Sequence, residues 1–117
     1  MPTRGEVELD IFSGMPNPTW TLTDAETDSL AKQLTILPRT SARKLSGNLG
    51  YRGLIVQVTQ GSDTQSIRIH NGTVHISNDV ANVYAHDDGR QLERWLLNTG
   101  RPHLKYELFQ IVEREFR

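Results

Sequence analysis

Three side chains that can exchange protons stand out in this sequence: Asp10, His70 and His75. An imidazole titrates close to neutral pH, and a nearby carboxylate can orient it or share its proton. Two segments with alternating apolar and polar residues, 6–11 and 66–77, would carry these groups on one exposed face of a sheet. The sequence therefore predicts acid/base chemistry there as one functional alternative. Ordinary cross-strand pairing of charges explains the same residues without catalysis.

The motifs expected of a metal or cofactor site are absent. Imidazole and carboxylate ligands suit zinc, but the sequence has no His-x-His pair and no His-Glu-x-x-His helix. It contains no cysteine, which excludes a thiolate ligand or nucleophile. Its glycines match neither a Walker loop nor a dinucleotide fingerprint, and its serines lie in no nucleophile elbow. We therefore predict neither a metal nor a cofactor.

A second group of residues is better suited to binding than to catalysis. Residues 12–20 include two prolines, a glycine and an asparagine, which predict a stiff loop without regular structure. The loop also carries large apolar side chains, which either fold back over the core or line a binding surface. Arginine and aromatic side chains are frequent in recognition sites. These observations favour a non-catalytic binding or accessory module that recognises a small molecule or a protein partner. Its predicted binding residues are Asn17, Trp20, Tyr51 and Arg52.

The most specific structural signal is a β-hairpin over residues 66–77. Asn71 and Gly72 both tolerate positive φ, as the central residues of a type I′ turn require. That turn predicts that Ile69 lies opposite Val74 and that Ile67 lies opposite Ile76. All four branched side chains then share one face, which must be buried against further strands or helices.

The remaining elements follow from periodicity and capping signals. Thr23 and Glu26 have the spacing of a capping box and begin a predicted helix over 24–36, with an apolar stripe that includes Ala25, Leu30, Ala31 and Leu34. Two C-terminal helices are predicted near 89–99, capped by Asp87 or Asp88 and ended by Gly100, and from Arg101 onward with Leu104, Leu108, Ile111, Val112 and Phe116 on its apolar face. The other predicted segments are a strand at 6–11, a long loop at 39–50, a strand at 53–59 and a short edge strand at Val83 and Tyr84.

These elements predict a single α+β domain over residues 1–117. The predicted order is β-α-β-β-β-(β)-α-α, with helices on one face of a mainly antiparallel sheet of four to five strands. If the strand at 6–12 lies beside the strand at 53–59, the intervening helix makes a crossover, which is expected to be right-handed.

Composition narrows the possible partners. The chain has 117 residues, a formal net charge of −1 and, from its composition, an isoelectric point near 6.4, whereas a dedicated nucleic-acid-binding domain is typically more basic. The first ten residues are too polar for a signal peptide, and no apolar run is long enough to cross a membrane. We expect a soluble, cytoplasmic protein that binds neither nucleic acid nor membrane. Self-association through an edge strand near Val83 or through the C-terminal helices remains open.

Three stretches of the sequence resemble a loose group of short, uncharacterised bacterial proteins. They are residues 9–14 with 16–18, residues 50–53 and residues 92–97. Members of that group tend to open with a Phe-Ser-Gly-x-Pro-Asn-Pro segment. The resemblance covers most of the chain but implies no activity and no site.

Overall fold

The computed structural model describes residues 3–43 and 50–116, which form an α+β fold. Its antiparallel sheet has seven strands among the described residues, instead of the four to five predicted. The strands are β1 (Thr3–Leu9), β2 (Thr19–Thr21), β3 (Arg39–Thr40), β4 (Leu54–Gln60), β5 (Asp63–His70), β6 (Thr73–Ser77) and β7 (Asn82–His86). The α-helices are α1 (Asp24–Ile36), α2 (Gln91–Thr99) and α3 (Tyr106–Glu113).

The predicted hairpin is confirmed as β5 and β6. Asn71 and Gly72 form the turn with φ angles of 50° and 87°. Opposed pairs across the hairpin include Ile69 with Val74 and Ile67 with Ile76, in the predicted register. The inward-facing branched side chains belong to the core and are almost completely buried.

The spatial order of the strands is β2-β1-β4-β5-β6-β7-β3. β1 and β4 are neighbours, as the prediction allowed, but they run antiparallel. The expected right-handed crossover was therefore wrong, because that rule governs connections between parallel strands.

The two extra strands lie at the two edges of the sheet. β2 pairs with Glu6–Glu8 of β1, and β3 pairs with Tyr84 and Ala85 of β7. β2 overlaps the end of the predicted irregular loop 12–20, and β3 falls at the start of the predicted loop 39–50. Strands of two or three residues carry no recognisable alternation and depend on the neighbouring strand for their hydrogen bonds. Residues 44–49 of the predicted loop lie outside the described residues.

Helix α1 begins and ends where the sequence predicts. The Thr23 hydroxyl accepts a hydrogen bond from the Glu26 amide at 3.1 Å, and the Thr23 amide donates to the Glu26 carboxylate at 2.8 Å. This reciprocal arrangement confirms the capping box. The apolar stripe is narrower than predicted, since Leu30 and Leu34 are buried but Ala25 and Ala31 are exposed.

The C-terminal half differs from the prediction at its second helix. Residues 101–103 form a 3₁₀ turn, and α3 begins only at Tyr106. Leu104 lies before the first residue of α3, so helical spacing counted from Leu104 does not identify the buried face of that helix. Val112 is buried as predicted, but Phe109, which was not predicted, is also buried, and Ile111, predicted to pack inward, is 53% exposed.

The sheet has one face toward the helices and one that is open. Inward side chains of the strands join those of the helices in one hydrophobic cluster. Alternate residues of neighbouring strands face the other way and form a row across the sheet: Glu8, Ile55, Arg68, His75, Tyr84 and Thr40. These side chains are partly exposed. None of the helices in the described part of the chain has the length and apolar character needed to span a bilayer.

Candidate functional site

Asp10 is the centre of a polar cluster at one end of the open face. It follows β1 directly, and its backbone is tied to the start of β4: the Asp10 amide donates to the Gly53 carbonyl at 3.0 Å, and the Arg52 amide donates to the Asp10 carbonyl at 2.8 Å. Its carboxylate receives a hydrogen bond from Arg52 Nη2 at 2.8 Å on Oδ1 and one from Arg68 Nη1 at 3.1 Å on Oδ2. The carboxylate therefore binds two guanidinium groups at once.

The two arginines determine how Asp10 titrates. Asp10 is only 8% exposed, and burial by itself would raise its pKa. The hydrogen bonds and positive charges of Arg52 and Arg68 outweigh burial and hold the pKa of Asp10 below its ordinary value of 3.8. A carboxylate with a lowered pKa is a weak base. Asp10 is therefore better suited to holding the two arginines in place than to accepting a proton.

The same cluster holds the loop that follows β1. Asn17 Oδ1 accepts hydrogen bonds from the amides of Ile11 at 3.1 Å and Phe12 at 2.8 Å, which closes the loop across its base. Asn17 Nδ2 donates to the Glu8 carboxylate at 2.8 Å, and Arg52 Nη2 donates to the Phe12 carbonyl at 2.8 Å. We call residues 12–18 the braced loop.

The tip of the braced loop is open to solvent although its base is fixed. Residues 13–16 are all exposed, and the Met15 side chain is 58% exposed. At the far end the Pro18 carbonyl accepts a hydrogen bond from the Leu9 amide at 2.9 Å, which keeps both ends of the loop beside β1. The chain therefore presents an apolar side chain on a short segment with restrained ends.

The four predicted binding residues divide into two kinds. Asn17 and Arg52 meet in the cluster around Asp10 and brace the loop. Trp20 is only 4% exposed, and its indole N–H donates to the Thr99 hydroxyl at 2.9 Å. Tyr51 is also buried, in a different part of the core. Of the two alternatives for the large apolar side chains of this loop, Trp20 therefore packs on the core and does not line a surface.

A second polar cluster, which the sequence analysis did not identify, is buried beneath Tyr51. Its centre is Glu93, whose side chain is 0% exposed. The Glu93 carboxylate accepts hydrogen bonds from the Tyr51 hydroxyl, from the Asn71 amide at 2.8 Å, and from Nε and Nη2 of Arg90, each at 2.9 Å. This one side chain of α2 therefore links three segments: Tyr51 before β4, Asn71 in the hairpin turn and Arg90 before α2. Burial, followed by the neighbouring Glu93, raises the pKa of Tyr51 far above its ordinary value.

The residues of the acid/base alternative make different closest contacts, although Arg68 lies near all three: it binds Asp10, lies opposite His75 and contributes to the lowered pKa of His70. The rings of His70 and Tyr51 meet edge to face with centroids 5.3 Å apart, and burial is the main cause of a lowered pKa for His70. His75 stacks on Tyr84 at 4.5 Å, and its Nε2 lies 2.9 Å from Asn82 Oδ1.

Potential metal ligands are dispersed. Within residues 3–43 and 50–116, no three His, Cys, Asp or Glu side chains are grouped so that they could hold a metal ion. The arrangement around Asp10 instead fixes the base of the braced loop. Comparison of the chain with protein-family models, curated proteins and solved structures gave no match.

Proposed function

We propose that this protein is a non-catalytic binding module that recognises a protein partner through the braced loop. The observation that carries the proposal is the contrast between the fixed base of the loop and its exposed tip. A surface that is ordered before binding loses less conformational entropy when the complex forms. Methionine adapts its shape to apolar partners and is common at binding surfaces.

In this proposal Asn17 and Arg52 act by holding the loop. Their hydrogen bonds are made within the chain, to Ile11, Phe12 and Asp10, so they orient the surface without needing to touch the partner. The contact itself is made by residues 13–16, with Met15 as its apolar centre. Trp20 and Tyr51 support the arrangement from the core.

Arg68 supplies a polar border to this surface. Its side chain is 33% exposed and lies against Asp10, next to the open face of the sheet. Interfaces commonly combine a small apolar centre with a polar rim, and arginine is enriched in them. A protein partner fits this surface better than a small molecule does, because small molecules are usually enclosed in concave pockets.

The partner can be found by site-specific photocrosslinking. A photoreactive amino acid is placed at position 15 or at position 111, where Ile111 is 53% exposed and Met15 is 58% exposed. Ile111 lies on α3 and serves as a control of matched exposure. The proposal predicts a protein that is crosslinked from position 15 and not from position 111.

The identified protein is then purified and its affinity measured by titration calorimetry. Met15→Ser should weaken binding by about tenfold or more, as expected for an apolar residue at the centre of an interface. Ile111→Ser should bind like the unaltered protein. Equal affinity for the two variants, or equal crosslinking from both positions, would refute the proposed role of the braced loop.

A further inference from the structure

Residues 114–116 form a single 3₁₀ turn after α3. They lie across two arginines, Arg90 just before α2 and Arg94 within it. The Phe116 ring has the Arg90 guanidinium 4.3 Å and the Arg94 guanidinium 5.6 Å from its centroid. Arg90 Nη1 donates to the Glu115 carbonyl at 2.8 Å, and Arg94 Nη2 donates to the Phe116 carbonyl at 2.8 Å. The two arginines therefore bind one aromatic ring and two consecutive backbone carbonyls.

This is a set of contacts that a separate peptide could make. It uses main-chain carbonyls, which every peptide has, together with one phenylalanine ring held by cation–π contacts. The Tyr51 ring borders the site, with its centroid 6.4 Å from that of Phe116. Beside Phe116 there is a cavity of about 270 Å³, which offers space for side chains longer than those now present. It is lined by Arg94, Leu97, Asn98, Phe109, Glu113 and Phe116.

The positive charge of the two arginines favours an acidic residue before the phenylalanine. Burial would lower the pKa of Arg90, but Glu93 and, more weakly, Tyr51 and Glu115 raise it, so the guanidinium remains positively charged. The Glu115 side chain is exposed, so a partner's acidic residue at this position would keep its solvation. An acidic residue followed by phenylalanine is the combination that the chain itself places here.

We propose that Arg90 and Arg94 form a binding site for a partner protein's segment in which an acidic residue precedes phenylalanine, and that Glu115 and Phe116 occupy this site in the free protein. The site is separate from the braced loop, and neither proposal depends on the other. Release of residues 114–116 opens the turn after α3 and breaks the contacts of Phe116 with Tyr51, Arg90 and Arg94. Local opening of this kind occurs at the ends of helices.

Fluorescence anisotropy tests this with a labelled, amidated peptide that copies residues 112–116. In the unaltered protein the resident segment competes at an effective concentration of about millimolar. Phe116→Ala deletes the ring of that competitor and leaves it only the carbonyl contacts, so the full-length variant should bind the peptide about tenfold or more tightly than the unaltered protein does. A peptide with alanine in place of its phenylalanine should not bind.

Charge controls identify the site. In the Phe116→Ala protein, Arg94→Gln should weaken peptide binding several-fold, whereas Arg4→Gln, which changes an exposed arginine of β1, should leave it unchanged. Equal affinity of the peptide for the unaltered and Phe116→Ala proteins, or equal affinity of the two peptides, would overturn the proposal.

A second measurement applies even if Phe116→Ala does not fold. The backbone amide resonances of Glu115 and Phe116 are followed by NMR in the isotope-labelled, unaltered protein during addition of the unlabelled peptide up to about millimolar concentration, because these two residues leave the site when the peptide enters it. The proposal predicts saturable shifts of both resonances with the phenylalanine peptide. Unchanged resonances, or the same shifts with the alanine peptide, would refute it.

Discussion

Replacement of Glu93 by glutamine should destabilise the protein strongly although it removes no volume. The carboxylate is fully buried and accepts four hydrogen bonds, from Tyr51, Asn71 and twice from Arg90. A glutamine amide keeps one acceptor oxygen and replaces the other by a donor. Two of the four donors therefore lose their acceptor, and Arg90 loses its ionic partner.

The expected magnitude follows from these lost contacts. A hydrogen bond to a charged group contributes about 1.5–3 kcal/mol, so two of them amount to roughly 3–6 kcal/mol. A similar loss, about 3–5 kcal/mol, is typical of breaking a buried ion pair by removal of one partner. Since small domains unfold at a cost of about 5–15 kcal/mol, Glu93→Gln should remove roughly a fifth or more of the total stability.

Urea unfolding followed by circular dichroism measures this loss. With a typical slope of about 1–3 kcal/mol per molar urea, a loss of about 3–6 kcal/mol should lower the midpoint by at least about 1 M while the slope stays constant. Glu107→Gln makes the same chemical change at an exposed position of α3 and should alter stability by less than about 0.5 kcal/mol. A loss below about 1 kcal/mol for Glu93→Gln would show that the buried cluster does not hold these elements together.

Two further predictions concern the core and the pH dependence of folding. Gly100→Ala should cost about 1–3 kcal/mol of unfolding free energy, because the added Cβ would lie 2.5 Å from Cζ2 of the buried Trp20, whereas Asn98→Ala at an exposed position of α2 should not destabilise; equal stability of both variants in urea would contradict the described packing. Burial lowers the folded-state pKa of His70 below 6.5, so the unfolded chain binds more protons and stability should fall as pH decreases from 6.5 toward that lowered pKa. His70→Gln should flatten this dependence when unfolding free energies at about pH 7.5 and about pH 5.5 are compared, and an unchanged slope would argue against it.

The hairpin and the first helix could be predicted because their signals are local. Asn71 and Gly72 specify a turn whose geometry sets the register, and alternation then assigns each neighbour to a face. Thr23 and Glu26 mark the helix start by a contact that spans only three residues. In both cases, nearby residues contain the required information.

The buried Glu93 was missed because charged residues on amphipathic helices are usually exposed. The signal was present in its spacing: Glu93 precedes Leu96 and Leu97 by three and four residues, and all three side chains are buried on α2. Its partners Tyr51 and Asn71 are distant in sequence, so no local pattern reveals that the carboxylate is satisfied. The two short edge strands were missed for a related reason, since their pairing depends on β1 and β7.

The candidate site was predicted only in part. Asn17 and Arg52 were assigned to one site, and they do meet at Asp10. Their role as a brace could not be deduced, because it depends on backbone contacts to Ile11 and Phe12. The large apolar side chains of the loop region left two alternatives open, and only the fold separates buried Trp20 from exposed Met15.

The central claim is that the braced loop is ordered before it meets a partner, and NMR relaxation of its backbone amides tests it directly. Amide order parameters at residues 13–15 and at Asn17 should approach the value of about 0.85 that is typical of rigid backbone, similar to those of β4. Asn17→Ala should lower them, because it removes both acceptor contacts at the base of the loop. Values below about 0.6 in the unaltered protein, or no response to Asn17→Ala, would contradict the claim.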